Sequence, residues 1–156
     1  MENLEIIIYD DKYRLDLAEL LQEMSKELYG TGMCDVDSFV RNHWVVYLDM
    51  INKKPVGLSS WSQNTYFGLR TPTVGNTYLF VVPEYRNSRA SYILTASLFC
   101  KVSDETQLPI ETYIASEHTN RVLHNRLEGK HLYDVYEYSP EQVKAGFNNL
   151  KYKKYT

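Results

Sequence analysis

The sequence predicts an α/β protein (α+β, with a mixed sheet) in the order βααβββαβαβ. Three observations predict it. Short runs rich in β-branched and aromatic residues alternate with stretches whose apolar residues recur at helical spacing. A strongly β-prone run, Thr77 to Val82, is stopped by Pro83 and followed at once by a polar turn and an apolar periodic segment. The second half alternates strand and helix, the pattern of helices laid against a sheet. At 156 residues the chain has the size of one compact domain. A single domain over residues 1–156 is therefore expected, with a core at 5–138 and a C-terminal extension at 139–156.

Glu5 to Tyr9 reads as a short strand with Ile6, Ile7 and Ile8 as a buried run. A helix is expected from about Tyr13 to Tyr29, because Leu17, Leu21, Met24 and Leu28 share one face and Gly30 and Gly32 end it. Asp35 or Asp37 can cap a shorter helix containing Phe39 and Val40. Trp44 to Asp49 and Pro55 to Ser62 read as two strands of a hairpin turning at Asn52-Lys53-Lys54. After a polar interval with Thr71-Pro72 and Gly75 comes the strand Thr77 to Val82, then a helix from about Arg89 to Asp104. In that helix Ile93, Leu94, Ser97, Leu98 and Cys100 are expected inward or half-inward. Ile110 to Ala115 is the next strand, Thr119 to Gly129 the next helix and Leu132 to Tyr138 the last strand. Ser139-Pro140-Glu141 places proline where a short helix would start.

Composition narrows the function classes. Net charge is −3, which offers no general attraction to nucleic acid. Four lysines and no carboxylate fall between Lys144 and Thr156; a frayed, solvated terminus accounts for that run better than an anion site. No apolar run has the length of a membrane span, and MENLEIIIYDDKYRLD lacks the layout of a signal peptide. A cytoplasmic location, with no membrane partner and no nucleic acid, is expected. Cys34 and Cys100 have no metal-ligand spacing with His43, His118, His124 and His131, so no metal is expected. Both cysteines read as buried small hydrophobes. The fourteen tyrosines suit half-buried sheet faces and interaction surfaces alike.

The segment VVPEYRNSRAS, Val81 to Ser91, is the chemically suggestive one. A polar turn entering a helix presents unpaired N–H groups and the positive end of a dipole, and can hold a pyrophosphate. Arg86 and Arg89 add charge, and Ser88 or Ser91 adds a hydroxyl that caps the helix or meets a phosphate. Taken alone, the segment is better explained by a Ser88 cap with exposed arginines. The element order and VVPEYRNSRASYIL together resemble the GNAT superfamily of acyl-CoA N-acyltransferases, whose fourth strand runs into V-x-P-x-x-[RQ]-x-x-G-x-[GA] and a helix. Val81, Pro83 and Arg86 match. ASEHTNRVLHNRLEGKHLYDVYEY resembles the family's next strand exit and helix, with Asn120 and Val135 matching and Leu132 standing for a phenylalanine. Pro55-Val56-Gly57 resembles the second and third strands of the family. The departures are Arg89 and Ser91 at the two loop glycines, Leu127 at the usual tyrosine acid, His131 at a glycine, and no Asp or Glu between Thr71 and Val82 to act as a strand-borne base. A short chain whose loop lacks both glycines also resembles phage-encoded GNAT-like proteins.

The resemblance implies transfer of an acetyl group from acetyl-CoA to an amine of a small molecule or protein, without metal or covalent enzyme intermediate. It also implies that main-chain groups of Leu79, Phe80 and Val81 hold the pantetheine arm. The pyrophosphate would lie on Arg86, Asn87, Ser88, Arg89, Ala90, Ser91 and Tyr92, with Asn120 at the following helix. A lysine acceptor, with pKa about 10.4, must first lose a proton, so a base is required. Helical spacing puts Asn120, His124 and Leu127 on one face, which makes His124 a candidate acid or a surface histidine. Tyr78 and Tyr113 are candidate acid or base relays, or sheet-face tyrosines; Glu111 and Glu117 are nearby carboxylates that also read as solvated charges. The alternative function is a GNAT-like binding module that has lost transfer chemistry and acts on a protein partner, which Arg89, Ser91, Leu127 and the tyrosines favour. A homodimer through an open sheet edge is a further expectation.

Overall fold

The structure, a computed structural model, describes residues 2–65, 68, 71–112 and 139–146. The chain divides into two compact units, residues 1–114 and 115–156. In the first unit the elements run β1 (Leu4–Ile8), α1 (Arg14–Tyr29), α2 (Val36–Arg41), β2 (Val45–Ile51), β3 (Lys54–Asn64), β4 (Thr73–Val81), α3 (Arg89–Thr106) and β5 (Ile110–Thr112). That is the predicted order through its first eight elements. The predicted helix Thr119 to Gly129 and strand Leu132 to Tyr138 lie outside the described residues.

The five strands form one mixed sheet in sequence order, antiparallel from β1 to β4 and parallel between β4 and β5. A parallel neighbour requires a crossover, and α3 supplies it. Side chains alternate across β2. Val46, Leu48 and Met50 join Leu58 and Phe80 against Leu17, Leu20, Leu21 and Met24 of α1, with Phe39 and Val40 of α2 beside them. Tyr47 and Ile51 face the other way, toward Ala90, Leu94, Leu98 and Val102 of α3. The sheet is thus the middle of three layers, and each wholly buried leucine contributes roughly 1.5–3 kcal/mol.

Local chemistry fixes the joints. Gly30 takes φ 72° at the end of α1, a left-handed conformation that glycine enters without cost. Asp35 caps α2, its carboxylate accepting from Ser38 N at 3.1 Å. The β2–β3 hairpin turns on two residues only, Asn52 and Lys53, both at positive φ, which matches the twist of the flanking strands. β4 begins four residues earlier than its β-prone run suggests. Pairing of Thr73 to Asn76 with Asn64 to Trp61 overrides the poor strand preference of Gly75 and Asn76.

Several expectations fail because of position, at the edge of the sheet, at a helix end or on the outward side of a helix. β1 ends the sheet, so Ile6 and Ile7 are half-buried and Ile8 is 57% exposed. Leu28 lies in the last turn of α1 and is exposed. On α3 the inward stripe is Ala90, Leu94, Leu98 and Val102, which leaves Ile93, Ser97 and Cys100 on the exposed side. Cys34 is exposed as well, so neither cysteine is a core residue.

In the second unit the described element is α4 (Pro140–Gly146). Ser139 Oγ accepts from Gln142 N at 3.1 Å while Gln142 Oε1 accepts from Ser139 N at 2.8 Å. This reciprocal pair, with Pro140 at the first helical position, explains why the helix starts there.

Candidate active site

The site is built on an irregularity in β4. Ser60 pairs with Tyr78 but Trp61 pairs with Asn76, so Thr77 is an extra residue, a β-bulge. Asn76 explains how it is tolerated: its buried amide donates to Ser60 O at 3.2 Å and to Tyr78 O at 3.0 Å, serving backbone acceptors at the break. The described pairing of β4 with β5 also ends at this level, at Asn76 with Thr112.

Beyond the bulge the main chain is oriented. Val82 N donates to Val56 O at 2.9 Å, so Val82 faces β3. Successive residues of a strand alternate, which turns the polar groups of Phe80 toward β3 and those of Leu79 and Val81 toward the β5 side. Of the three residues expected at the pantetheine arm, Leu79 and Val81 therefore present their backbone N–H groups to that side.

The turn after β4 is held from several directions. Pro83 opens a 3-10 turn, Pro83–Tyr85. Asn87 has φ 57°, a left-handed conformation in which asparagine is among the better tolerated non-glycine residues. Ser88 caps α3: its hydroxyl accepts from Ser91 N at 3.1 Å and donates to Tyr85 O at 2.6 Å. Both functions of that hydroxyl are therefore used. Tyr92 N donates to Ser88 O at 3.1 Å. The N–H groups of Arg89 and Ala90, the first two of the helix, have no intrahelical acceptor. Ser88→Ala is expected to cost about 1 kcal/mol, read as a lower thermal midpoint.

Arg86 is tied down. Its Nε donates to Val81 O at 2.7 Å, its guanidinium pairs with Glu27 of α1 at 2.5 Å, and it lies over the Phe80 ring at 5.4 Å. It braces the turn against α1 and β4. Arg89 and Tyr92 are exposed, Ser91 is half-buried, and Ala90 is buried against Ile51, Val56 and Leu94. Arg89 makes no ion pair among the described residues and is the arginine available to an anion at this corner.

Tyr78 projects on the α1–α2 side. Its hydroxyl is 3.0 Å from that of Tyr29, and its ring packs beside Phe39 and His43. The bond to Tyr29, and then burial, push its phenol up to about 12. An ordinary thiol has pKa about 8.5, so this phenol is better suited to donate a hydrogen bond than to hand a proton to a leaving thiolate. Tyr113, Asn120 and His124 lie outside the described residues, as does Glu117. Glu111 is buried on β5 rather than solvated. His43, which sequence reasoning did not select for chemistry, stands in this aromatic group. No three metal-ligating side chains cluster among the described residues, and no described helix is long and apolar enough to cross a membrane.

The fold as a whole has known counterparts. An aminoglycoside acetyltransferase from an uncultured soil metagenomic sample, in complex with sisomicin, superposes with TM-score 0.67 at 12% identity, covering 87% of this chain and 95% of that one. A ribosomal-protein-alanine N-acetyltransferase from Brucella melitensis gives TM-score 0.66 at 12% identity over 87% and 98%. An aminoglycoside N-acetyltransferase in complex with CoA gives 0.63 at 16% identity over 89% and 95%. The chain has the GNAT acetyltransferase fold. No family model and no curated protein matches the sequence.

Proposed function

We infer that the protein transfers an acetyl group from acetyl-CoA to an amine of a small molecule or a protein. The observation that carries this reading is the bulge at Thr77 in line with the capped start of α3. The same strand that turns Leu79 and Val81 toward the β5 side leads, within a few residues, to free helix N–H groups and an exposed Arg89. A pantetheine arm followed by a pyrophosphate has that sequence of needs, amide partners and then an anion site. The CoA-bound acetyltransferase of the same fold supports the assignment of the donor.

The chain's own contributions are positional and electrostatic. Backbone N–H groups beyond the bulge can stabilise charge on the thioester oxygen. Arg89 can pair with phosphate in place of the missing glycine contacts, and Asn87 supplies the left-handed backbone. Holding donor and acceptor together removes much of the barrier before any acid or base acts.

One observation favours the second reading, a binding module without turnover. Arg86 is occupied by Glu27 and Val81, so the turn has one fewer free cation than its sequence offers. Release of free thiol from acetyl-CoA in the presence of primary amines decides between them. Amine-dependent thiol release supports transfer; acetyl-CoA binding with no release above the uncatalysed rate supports the binding module.

A further inference from the structure

We propose that His43 is the base that takes the proton from the acceptor amine. The inference rests on the acetyl-transfer reading and assigns the group that the sequence of β4 does not supply. His43 lies in the short connection between α2 and β2, where Trp44 N donates to Trp61 O at 2.8 Å. Trp61 is paired in turn with Asn76. The histidine therefore stands level with the bulge, on the same side of the sheet as Tyr78.

Its tautomer is fixed. His43 Nδ1 is 2.6 Å from Phe39 O. A carbonyl only accepts, so Nδ1 carries the hydrogen and Nε2 keeps its lone pair. The ring is held by Phe39 at 4.5 Å and edge-on to Tyr78 at 6.0 Å between centroids. The titratable groups facing it are the phenol of Tyr78 from β4 and, bonded to that phenol, Tyr29 from α1. Among the described residues no salt bridge engages the ring.

A second observation marks the same place as polar and unfinished. Ser60 is directly opposite Tyr78 and on the same face. It is wholly buried, and its hydroxyl has no hydrogen-bond partner among the described residues. A buried hydroxyl without a partner is costly, and it sets a polar group beside Tyr78 in the sheet. Phe39, Tyr78 and Tyr29 offer aromatic faces, which attract an ammonium ion. The acceptor that fits is a primary amine arriving protonated.

The step balances as follows. The ammonium gives one proton to His43 Nε2, and the freed nitrogen lone pair forms the C–N bond to the thioester carbonyl carbon. The C–S bond breaks and its electron pair leaves with sulfur. The surplus proton on nitrogen passes to sulfur directly or through water. The products are an amide, a thiol and one proton, held by His43 and returned to solvent.

Two measurements test this. Long-range proton–nitrogen spectra of the imidazoles with acetyl-CoA bound should show the neutral His43 ring with hydrogen on Nδ1 and none on Nε2. His43→Asn keeps a donor for Phe39 O and removes the base. With spermidine, sisomicin or an alanine-terminated peptide as acceptor, it should lower kcat/KM about a hundredfold to ten-thousandfold at neutral pH. The acidic limb of the wild-type pH profile should disappear, while acetyl-CoA affinity is unchanged. Hydrogen on Nε2 of the neutral ring, or a variant that keeps both rate and acidic limb, would overturn the proposal. A wild type that fails to bind acetyl-CoA would instead overturn the reading on which it rests.

Discussion

Asp49→Asn is expected to stabilise the protein at neutral pH and to flatten its stability between about pH 4 and pH 8. Asp49 sits in the middle of β2 with no exposed surface, and neither carboxylate oxygen has a hydrogen-bond partner among the described residues. Alternation places it on the α3 side, between Tyr47 and Ile51. Burial alone pushes its carboxyl up to about 7. A folded-state value above the unfolded one means that the folded chain holds the proton longer. Stability is therefore full below about pH 4 and is lost as pH rises toward about 7. The loss is on the order of 2–4 kcal/mol. Asparagine has the same shape and nothing to ionise, so urea unfolding at pH 5 and pH 8 should give it nearly equal midpoints. The wild type should be clearly weaker at pH 8. Parallel pH profiles for the two proteins would contradict the assignment.

Gly57→Ala is expected to destabilise by about 1–3 kcal/mol and to weaken acetyl-CoA binding with it. A Cβ on Gly57 would stand 2.7 Å from Phe80 O and 3.1 Å from Asp49 Oδ2. The first of these is backbone of β4, which cannot swing aside as a side chain would. The methyl group would push β4 away from β3 between Phe80 and Val81, within the stretch that aims Leu79 and Val81. Denaturant melts and ligand titration of the same variant check both effects. A stable variant with unchanged affinity would show that this stretch is more yielding than its geometry implies.

Much of the fold was legible because it rests on short-range chemistry. Helical spacing of Leu17, Leu21 and Met24, the cap of Asp35, the hairpin at Asn52 and the stop at Pro83 are all visible within a few residues. The Val81, Pro83 and Arg86 pattern located the corner where the candidate site stands. Features made by distant partners were not legible. Nothing near Arg86 in sequence announces Glu27, and nothing near Thr77 announces a bulge, which exists only in the pairing of β4 with β3. His43 had no motif; its tautomer depends on a carbonyl one helical turn earlier and its neighbourhood on a strand far along the chain. Asp49 read as the end of a strand because hydrophobic patterning cannot distinguish a solvent-facing carboxylate from one covered by a helix. Cys34 and Cys100 were misplaced for a related reason, since residue type favours burial but exposure is decided by which side of the element faces the layer.

The account's central claim is that the corner between β4 and α3 holds acetyl-CoA. Calorimetric titration of the protein with acetyl-CoA, repeated on Arg89→Glu, tests it most directly. Saturable binding in the micromolar range, weakened about tenfold or more by the charge reversal, is the predicted result. No heat and no thermal shift at millimolar acetyl-CoA would contradict it.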